Sequence, residues 1–195
     1  MKNEKFQKTL FLTRFSFKRD WFSLSIWSIA LIGLFVGVAA KFTGLYGTKS
    51  AVDQIIKTLQ SPAMVSLFGK MPAGPYTTAD VFASEMTVFM AIIAAVMNFY
   101  FVIRNTRGEE EAGILEMIQA HSVGRLSNLS AALLEVFIVN FLIGLIYAVG
   151  LQFANLTGTD TNGNFLLGLG LGAAGFMFAT IAAIVAQLTD ITMAV

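Results

Sequence analysis

The chain has 195 residues, 56% hydrophobic and 13% charged, with a formal net charge of +1. Such a composition lies outside the usual range of soluble domains. It contains no cysteine, which excludes disulfides, a thiolate metal site and a cysteine nucleophile.

The N-terminal segment, residues 1–20, carries Phe6, Leu10, Phe17 and Trp21, and Phe11, Phe15 and Phe22, at helical offsets, with Arg14 and Lys18 between the stripes. Aromatics in the interface and basic side chains reaching lipid headgroups suit an interfacial helix. It leads into the first of four uninterrupted apolar runs, at residues 21–40, 84–103, 130–153 and 165–188. A hydrocarbon core of about 30 Å takes about 20 helical residues to cross. No water is available inside it to bond the peptide groups, so each run has to be a helix. The fold class is therefore all-α, a polytopic transmembrane helical bundle with four predicted spans in one transmembrane domain covering residues 1–195.

Between the first two runs, residues 41–83 form more than a connection. Ser50 and Asp53 have capping-box spacing, and Val52, Ile55, Ile56 and Leu59 recur on one helical face. Ser61 and Pro62 can start a short second helix that Gly69 ends. Pro72, Gly74 and Pro75 mark a break, and Thr77 with Asp80 looks like the cap of the second span. A packed external lid is expected here; a ligand-binding loop is the alternative.

Basic residues orient the spans. With the N-terminus inside, Lys2, Lys5, Lys8, Arg14, Lys18, Arg19, Arg104, Arg107 and Arg125 are cytoplasmic, nine of the 13 Lys and Arg residues. Lys41, Lys49, Lys57 and Lys70 are spread over the external loop, and residues 154–164 hold none. Four spans then return the C-terminus to the inside.

Several motifs carry no chemistry. Residues Gly44 to Ser50 resemble a phosphate-binding loop, but Thr48 breaks the glycine–lysine spacing and no strand precedes it. His121 is the single histidine, which excludes a multi-histidine metal site. The candidate intramembrane polar sites are Glu85, near the outer end of the second span, Glu135, shortly inside the third, and Asn98 and Asn140 in mid-span. A charge at the bilayer centre costs about 2.5–3.5 kcal/mol on insertion scales, and less near an interface. Both carboxylates are shallow and no ionisable group lies between them. They are read as structural groups with polar neighbours, against a proton relay as the alternative. Gly33 and Gly37 in the first span, and Gly168, Gly172, Gly175, Ala179 and Ala183 in the fourth, form small-residue stripes suited to close helix contact.

The cytoplasmic segment 104–129 is the most informative. Ile114, Leu115, Met117 and Ile118 occupy one side of a short helix, bordered by Glu110, Glu116 and Gln119, and Gly124 would end it. The triplet Glu109, Glu110 and Glu111 suits a helix N-terminus. Clustered carboxylates are a poor choice beside anionic lipids, so the apolar face is expected to dock on a protein.

The run TRGEEEAGILEMIQAHSVGR, leading into LSNLSAALLE, resembles the first intracellular loop of ABC type-2 exporter permeases. The group of antibiotic (polyketide, tetronasin-type) exporters is closest in flavour. LFGKMPAGPYTTADVFASE before the second span and AAIVAQLT at the end of the fourth are also similar. One departure is Ser122, where the family usually has proline, while Val123 and Arg125 fit its pattern. The resemblance implies a coupling helix seated on a separate ATP-binding subunit, with Glu109, Glu110, Glu111, Gly113, Leu115, Glu116 and Arg125 in the contact and Ile114 and Ile118 beside Leu115. It further implies that ATP and Mg bind the partner, leaving this chain no cofactor of its own. Family permeases have six spans per half, so an N-terminal portion of a longer permease is expected. The remaining permease half (or a second permease), the ATPase and the lipid bilayer would be its partners, without nucleic acid. The expected role is efflux of a hydrophobic or antibiotic-like compound across the cell membrane. The alternatives are a non-transporting membrane scaffold and a proton-coupled carrier.

Overall fold

The computed structural model of the chain describes residues 6–71, 73–111, 113, 123–124 and 126–193. Among these, every regular element longer than a single turn is an α-helix: α1 (Thr9–Tyr46), α2 (Lys49–Leu59), α3 (Pro62–Phe68), α4 (Thr78–Asn105), α5 (Arg107–Glu111), α6 (Ser127–Ala154) and α7 (Thr161–Met193). Four of them, α1, α4, α6 and α7, are long and apolar enough to cross a membrane. The three prolines of the chain all fall between α1 and α4, at positions 62, 72 and 75, so nothing of that kind interrupts the long helices. Large apolar side chains remain exposed along them, among them Leu10, Trp21, Ile29, Ile92, Phe141, Phe153, Leu166 and Ile184. Contiguous exposure of this sort suits a hydrocarbon solvent rather than water.

The helices are longer than the apolar runs. α1 has 38 residues, about 57 Å at 1.5 Å per residue. No glycine or proline occurs between Thr9 and Gly33, and the helix passes residue 20 without a break. The described part of the expected interfacial segment is thus continuous with the first span.

The chain divides into two compact units. Unit 1 comprises Met1–Ser28, Ala94–Phe141 and Ala174–Val195; unit 2 comprises Ile29–Ile93 and Leu142–Ala173.

Unit 2 is closed by aromatic rings and by backbone proximity. Phe35 stacks on Tyr147 with ring centroids 4.2 Å apart and meets Phe82 edge-on at 5.2 Å. Phe42 also meets Phe82, at 5.2 Å. A Cβ on Gly168 would lie 2.5 Å from the Gly144 carbonyl oxygen, so α6 and α7 touch here through backbone. Thr78 Oγ1 donates to the Tyr46 carbonyl at 2.8 Å, tying the end of α1 to the start of α4. The cap of α2 is Thr48 rather than Ser50: its hydroxyl accepts from Ala51 N at 3.3 Å, and the helix begins at Lys49. Val52, Ile56 and Leu59 are the buried face. Ser61, Pro62 and Gly69 bound α3 as expected, Gly69 with φ 81°. Thr77 and Asp80 form the expected reciprocal cap of α4, with Thr77 N donating to Asp80 Oδ2 at 2.8 Å and Asp80 N to Thr77 Oγ1 at 3.4 Å. A Cβ on Gly33 or Gly37 would meet nothing within 4 Å among the described residues, so that stripe makes no close contact with them.

Unit 1 buries Leu12, Leu24, Met97, Phe101, Val136 and Ala183. Ser127 Oγ donates to the Gln7 carbonyl at 2.7 Å, and Gly124 N to the same oxygen at 3.2 Å, so the first residue of α6 and Gly124 just before it hold the turn that precedes α1. Its interior is otherwise unusually polar, and the candidate site lies there.

Candidate functional site

Four helices of unit 1 each contribute a charged or amide side chain to one buried network. α1 supplies Arg19 and Asp20, α4 supplies Arg104 and Asn105, α5 supplies Glu109 and α6 supplies Glu135. Adjacent residues on a helix diverge by about 100°, yet the long arginine folds back, and Arg19 Nε donates to Asp20 Oδ1 at 3.1 Å. The far end of the same guanidinium pairs with Glu109 and donates to Asn105 Oδ1 at 2.8 Å. Arg104 Nη2 reaches Asp20 Oδ1 at 3.3 Å. Asn105 then passes the connection on, its Nδ2 donating to Glu135 Oε2 at 2.7 Å. Asn128 Nδ2 donates to the Asn105 carbonyl at 3.2 Å.

Asp20 is 1% exposed, Glu109 5% and Glu135 0%. Three buried carboxylates face two guanidiniums, and one oxygen of each glutamate, Glu109 Oε2 and Glu135 Oε1, has no hydrogen-bond partner among the described residues. Arg19 therefore holds the arrangement together. It pairs with Glu109 and, together with Arg104, with Asp20, and it orients the Asn105 amide so that its nitrogen faces Glu135. A planar guanidinium can bridge several acceptors at once, which a lysine ammonium cannot do with the same geometry.

A second polar element in the same unit contains no charge. Asn98 and Asn140 exchange amide hydrogen bonds, Asn140 Nδ2 to Asn98 Oδ1 at 2.7 Å and Asn98 Nδ2 to Asn140 Oδ1 at 3.1 Å. Each also donates to the carbonyl one turn earlier, Ala94 and Val136, at 2.7 Å. All four amide protons are used. A Cβ on Gly175 would collide with Asn140 Oδ1, so α7 passes this pair only because glycine stands there.

A family described as "Multidrug efflux system permease Rv1217c, C-terminal domain" matches residues 18–194, which include every member of both networks. The chain belongs to that permease family. It is 32% identical over 186 residues to the multidrug efflux system permease protein Rv1217c of Mycobacterium tuberculosis (strain ATCC 25618 / H37Rv). The match covers 94% of this chain and 33% of that protein, so the chain spans about a third of the length of the curated relative it matches. The family is described on the C-terminal domain of its namesake. The expected likeness to an N-terminal permease portion accordingly gives way to a likeness to a C-terminal one.

Within this member of the Rv1217c permease family, the residues singled out from sequence separate into groups. Asn98 meets Asn140, as two mid-span amides in one membrane protein should. Glu135 meets Asn105 and lies within the electrostatic reach of Asp20, Arg19 and Glu109. Glu85 stands apart in unit 2, half-buried, and no hydrogen bond or ion pair among the described residues involves it. The acidic triplet divides: Glu109 is buried against Arg19, Glu110 is exposed, and Glu111 closes α5. Gly113 is exposed with φ 68°, a conformation that glycine adopts freely. Ile114, Leu115, Glu116, Ile118 and Arg125 lie outside the described residues.

Sequence reasoning used Arg19 and Arg104 only as orientation charges and passed over Asp20 and Asn105. A signal was available. Asp20 is an acid at the very mouth of an apolar run, next to an arginine, and such a carboxylate needs a cation nearby.

Proposed function

We propose that this chain is a membrane-spanning part of the permease of an ATP-binding-cassette exporter, of the type-2 antibiotic-exporter kind, in the cell membrane with both termini inside. A separate subunit would bind ATP and Mg and hydrolyse the nucleotide. This chain would supply pathway and coupling for efflux of a hydrophobic or antibiotic-like compound, as a transport subunit rather than an enzyme. Membership in a multidrug efflux permease family supports the efflux part.

The observation that carries the coupling part is the ion pair of Arg19 with Glu109. Glu109 opens the acidic stretch of the segment 104–129, and Arg19 belongs to the first long helix. Through Asn105 the same arginine is linked to Glu135 on α6. A displacement of the segment by a docked subunit would therefore act on α1, α4 and α6 together through short, buried polar contacts. Exposed Glu110 and the apolar side chains Ile114, Leu115 and Ile118 would face the subunit, while Glu109 would transmit the movement.

Replacing Leu115 by Asp in the full protein places an unpaired charge in a desolvated contact, which weakens or breaks such an interface. The expected protein inserts and accumulates normally but no longer co-purifies with the ATPase or stimulates its hydrolysis. Unchanged association together with unchanged ATP-driven efflux would sink the reading. Association without any ATP-driven efflux in the parent protein would favour a scaffold.

A further inference from the structure

Unit 2 contains a cavity of about 170 Å³ that belongs to neither polar network. It lies among the start of α4, the end of α6 and the start of α7, with Phe82, Leu151 and Leu156 as an apolar floor. Those three side chains are almost fully buried, at 1%, 1% and 4% exposure. An apolar cavity of about 150 Å³ is large enough to take up benzene. This one has, in addition, two acids at its rim, Asp80 and Asp160.

Both acids are helix caps that spend one oxygen on capping. Asp80 Oδ2 accepts from Thr77 N at 2.8 Å and from Thr77 Oγ1 at 2.7 Å. Asp160 Oδ1 accepts from Gly163 N at 3.1 Å. Among the described residues nothing bonds to Asp80 Oδ1 or Asp160 Oδ2. The third polar group is Asn164, 4% exposed and lining the same cavity. Its side-chain amide makes no hydrogen bond among the described residues, whereas buried amides are ordinarily satisfied. A buried, unpartnered amide facing a cavity points to a ligand.

The sign of the charge follows from a comparison of magnitudes. The two helix N-termini contribute roughly +0.5 each and the two carboxylates −1 each, leaving about one net negative charge at the rim. A cation is favoured over an anion. A bare metal ion fits poorly, because no group of three or more His, Asp or Glu side chains able to hold one occurs among the described residues, and the floor is hydrocarbon.

We propose that this cavity binds a small organic cation, its ammonium group held by the carboxylates of Asp80 and Asp160 and the amide oxygen of Asn164, and its alkyl substituents lying on Phe82, Leu151 and Leu156. As a cargo site it rests on the efflux reading. As a binding site it does not, and it is measured without ATPase or nucleotide, so a failure of coupling leaves the result untouched.

The test uses the whole chain in maltoside micelles, titrated by calorimetry with choline and with 3,3-dimethylbutan-1-ol, its neutral isostere. Choline should bind more tightly than the alcohol by about three- to fivefold for each of the two carboxylates, since one exposed ion pair amounts to a factor of up to about five. Asp160→Asn keeps the cap, because asparagine caps as well as aspartate, and should weaken choline about three- to fivefold. The Asp80→Asn/Asp160→Asn pair should weaken it about tenfold or more. Asn164→Leu, which replaces an unpaired buried amide by an apolar side chain of similar size, should fold normally and also lose affinity for choline. Dihexanoylphosphatidylcholine distinguishes the source of the ammonium: tighter binding than choline assigns the site to a lipid headgroup, and equal or weaker binding to a free solute. The ammonium site stands in both cases. Equal affinity for choline and the alcohol would overturn it. So would unchanged choline binding by Asp160→Asn and Asn164→Leu, or displacement of choline by micromolar calcium.

Discussion

The two units solve the same packing problem with different chemistry. Unit 2 is held by Phe35, Phe82 and Tyr147 in ring contact and by the backbone approach of Gly144 to Gly168. Unit 1 is held by Arg19 with its acids and by the Asn98–Asn140 pair. In a hydrocarbon solvent, burying apolar surface between helices gains little, because lipid tails are as apolar as leucine. What remains is close packing or hydrogen bonding: unit 2 shows mainly the first, and unit 1 adds the second to ring contacts of its own, Phe137 with Phe176 and Phe99 with Phe178. The lesson concerns tolerance: a packing contact fails when a side chain is enlarged, whereas a polar contact fails when a partner is deleted.

The largest expected effect tests the packing unit. Gly168→Val would drive a side chain into the Gly144 carbonyl and the Ala148 backbone, neither of which can yield. We expect a loss of about 3 kcal/mol or more, read as a melting temperature in detergent lowered by roughly 6–12 °C or as loss of the monodisperse species. A variant melting with the parent would show that backbone proximity contributes nothing to unit 2.

Next comes the charged network. Arg19→Ala would leave Glu109 as a buried carboxylate without its cation and Asp20 with Arg104 alone, and should cost about 2–4 kcal/mol, reduced somewhat because the arginine is part-exposed. The Arg19→Ala/Glu109→Ala double variant should cost clearly less than the sum of the single ones, by about 1 kcal/mol or more. Strict additivity in thermal melts would mean that the two residues act separately, and the transmission role of Glu109 would go with it.

A smaller effect is expected at the amide pair. Asn98→Leu should cost about 1–2 kcal/mol, since Asn140 is left with unpaired amide atoms beside Gly175. Adding Asn140→Leu should recover part of the loss, with a coupling of about 0.6–1.7 kcal/mol as found for polar pairs in membrane helices. A double variant less stable than either single one would show that packing, not hydrogen bonding, sets the cost here.

The smallest effect sharpens the contrast. Glu85→Gln, in unit 2 and outside any hydrogen bond among the described residues, should change stability by less than about 0.5 kcal/mol. A loss above 1 kcal/mol would place a polar contact of the unit 1 kind inside unit 2.

Much of this protein was legible in its residues one element at a time. Four apolar runs of span length gave four long helices, because a backbone in hydrocarbon has no other way to satisfy itself. Thr77 with Asp80, and Ser61 with Pro62 and Gly69, marked helix ends that the structure has, because caps depend on neighbours three or four residues away. Thr48 displaced Ser50 as a cap for an equally local reason, a helix start two residues earlier than the hydrophobic pattern suggests.

Tertiary structure decided which polar groups meet. Arg19 and Glu109 are 90 residues apart, and Asn98 and Asn140 are 42 apart. A helical period says which face a residue occupies on its own helix, but not which neighbour that face finds or at what depth. Gly33 and Gly168 belong to stripes of the same appearance, yet only Gly168 lies against another backbone. Asp80 and Asp160 both read as ordinary caps. Only the convergence of α4, α6 and α7 leaves their free oxygens, with Asn164, around one cavity.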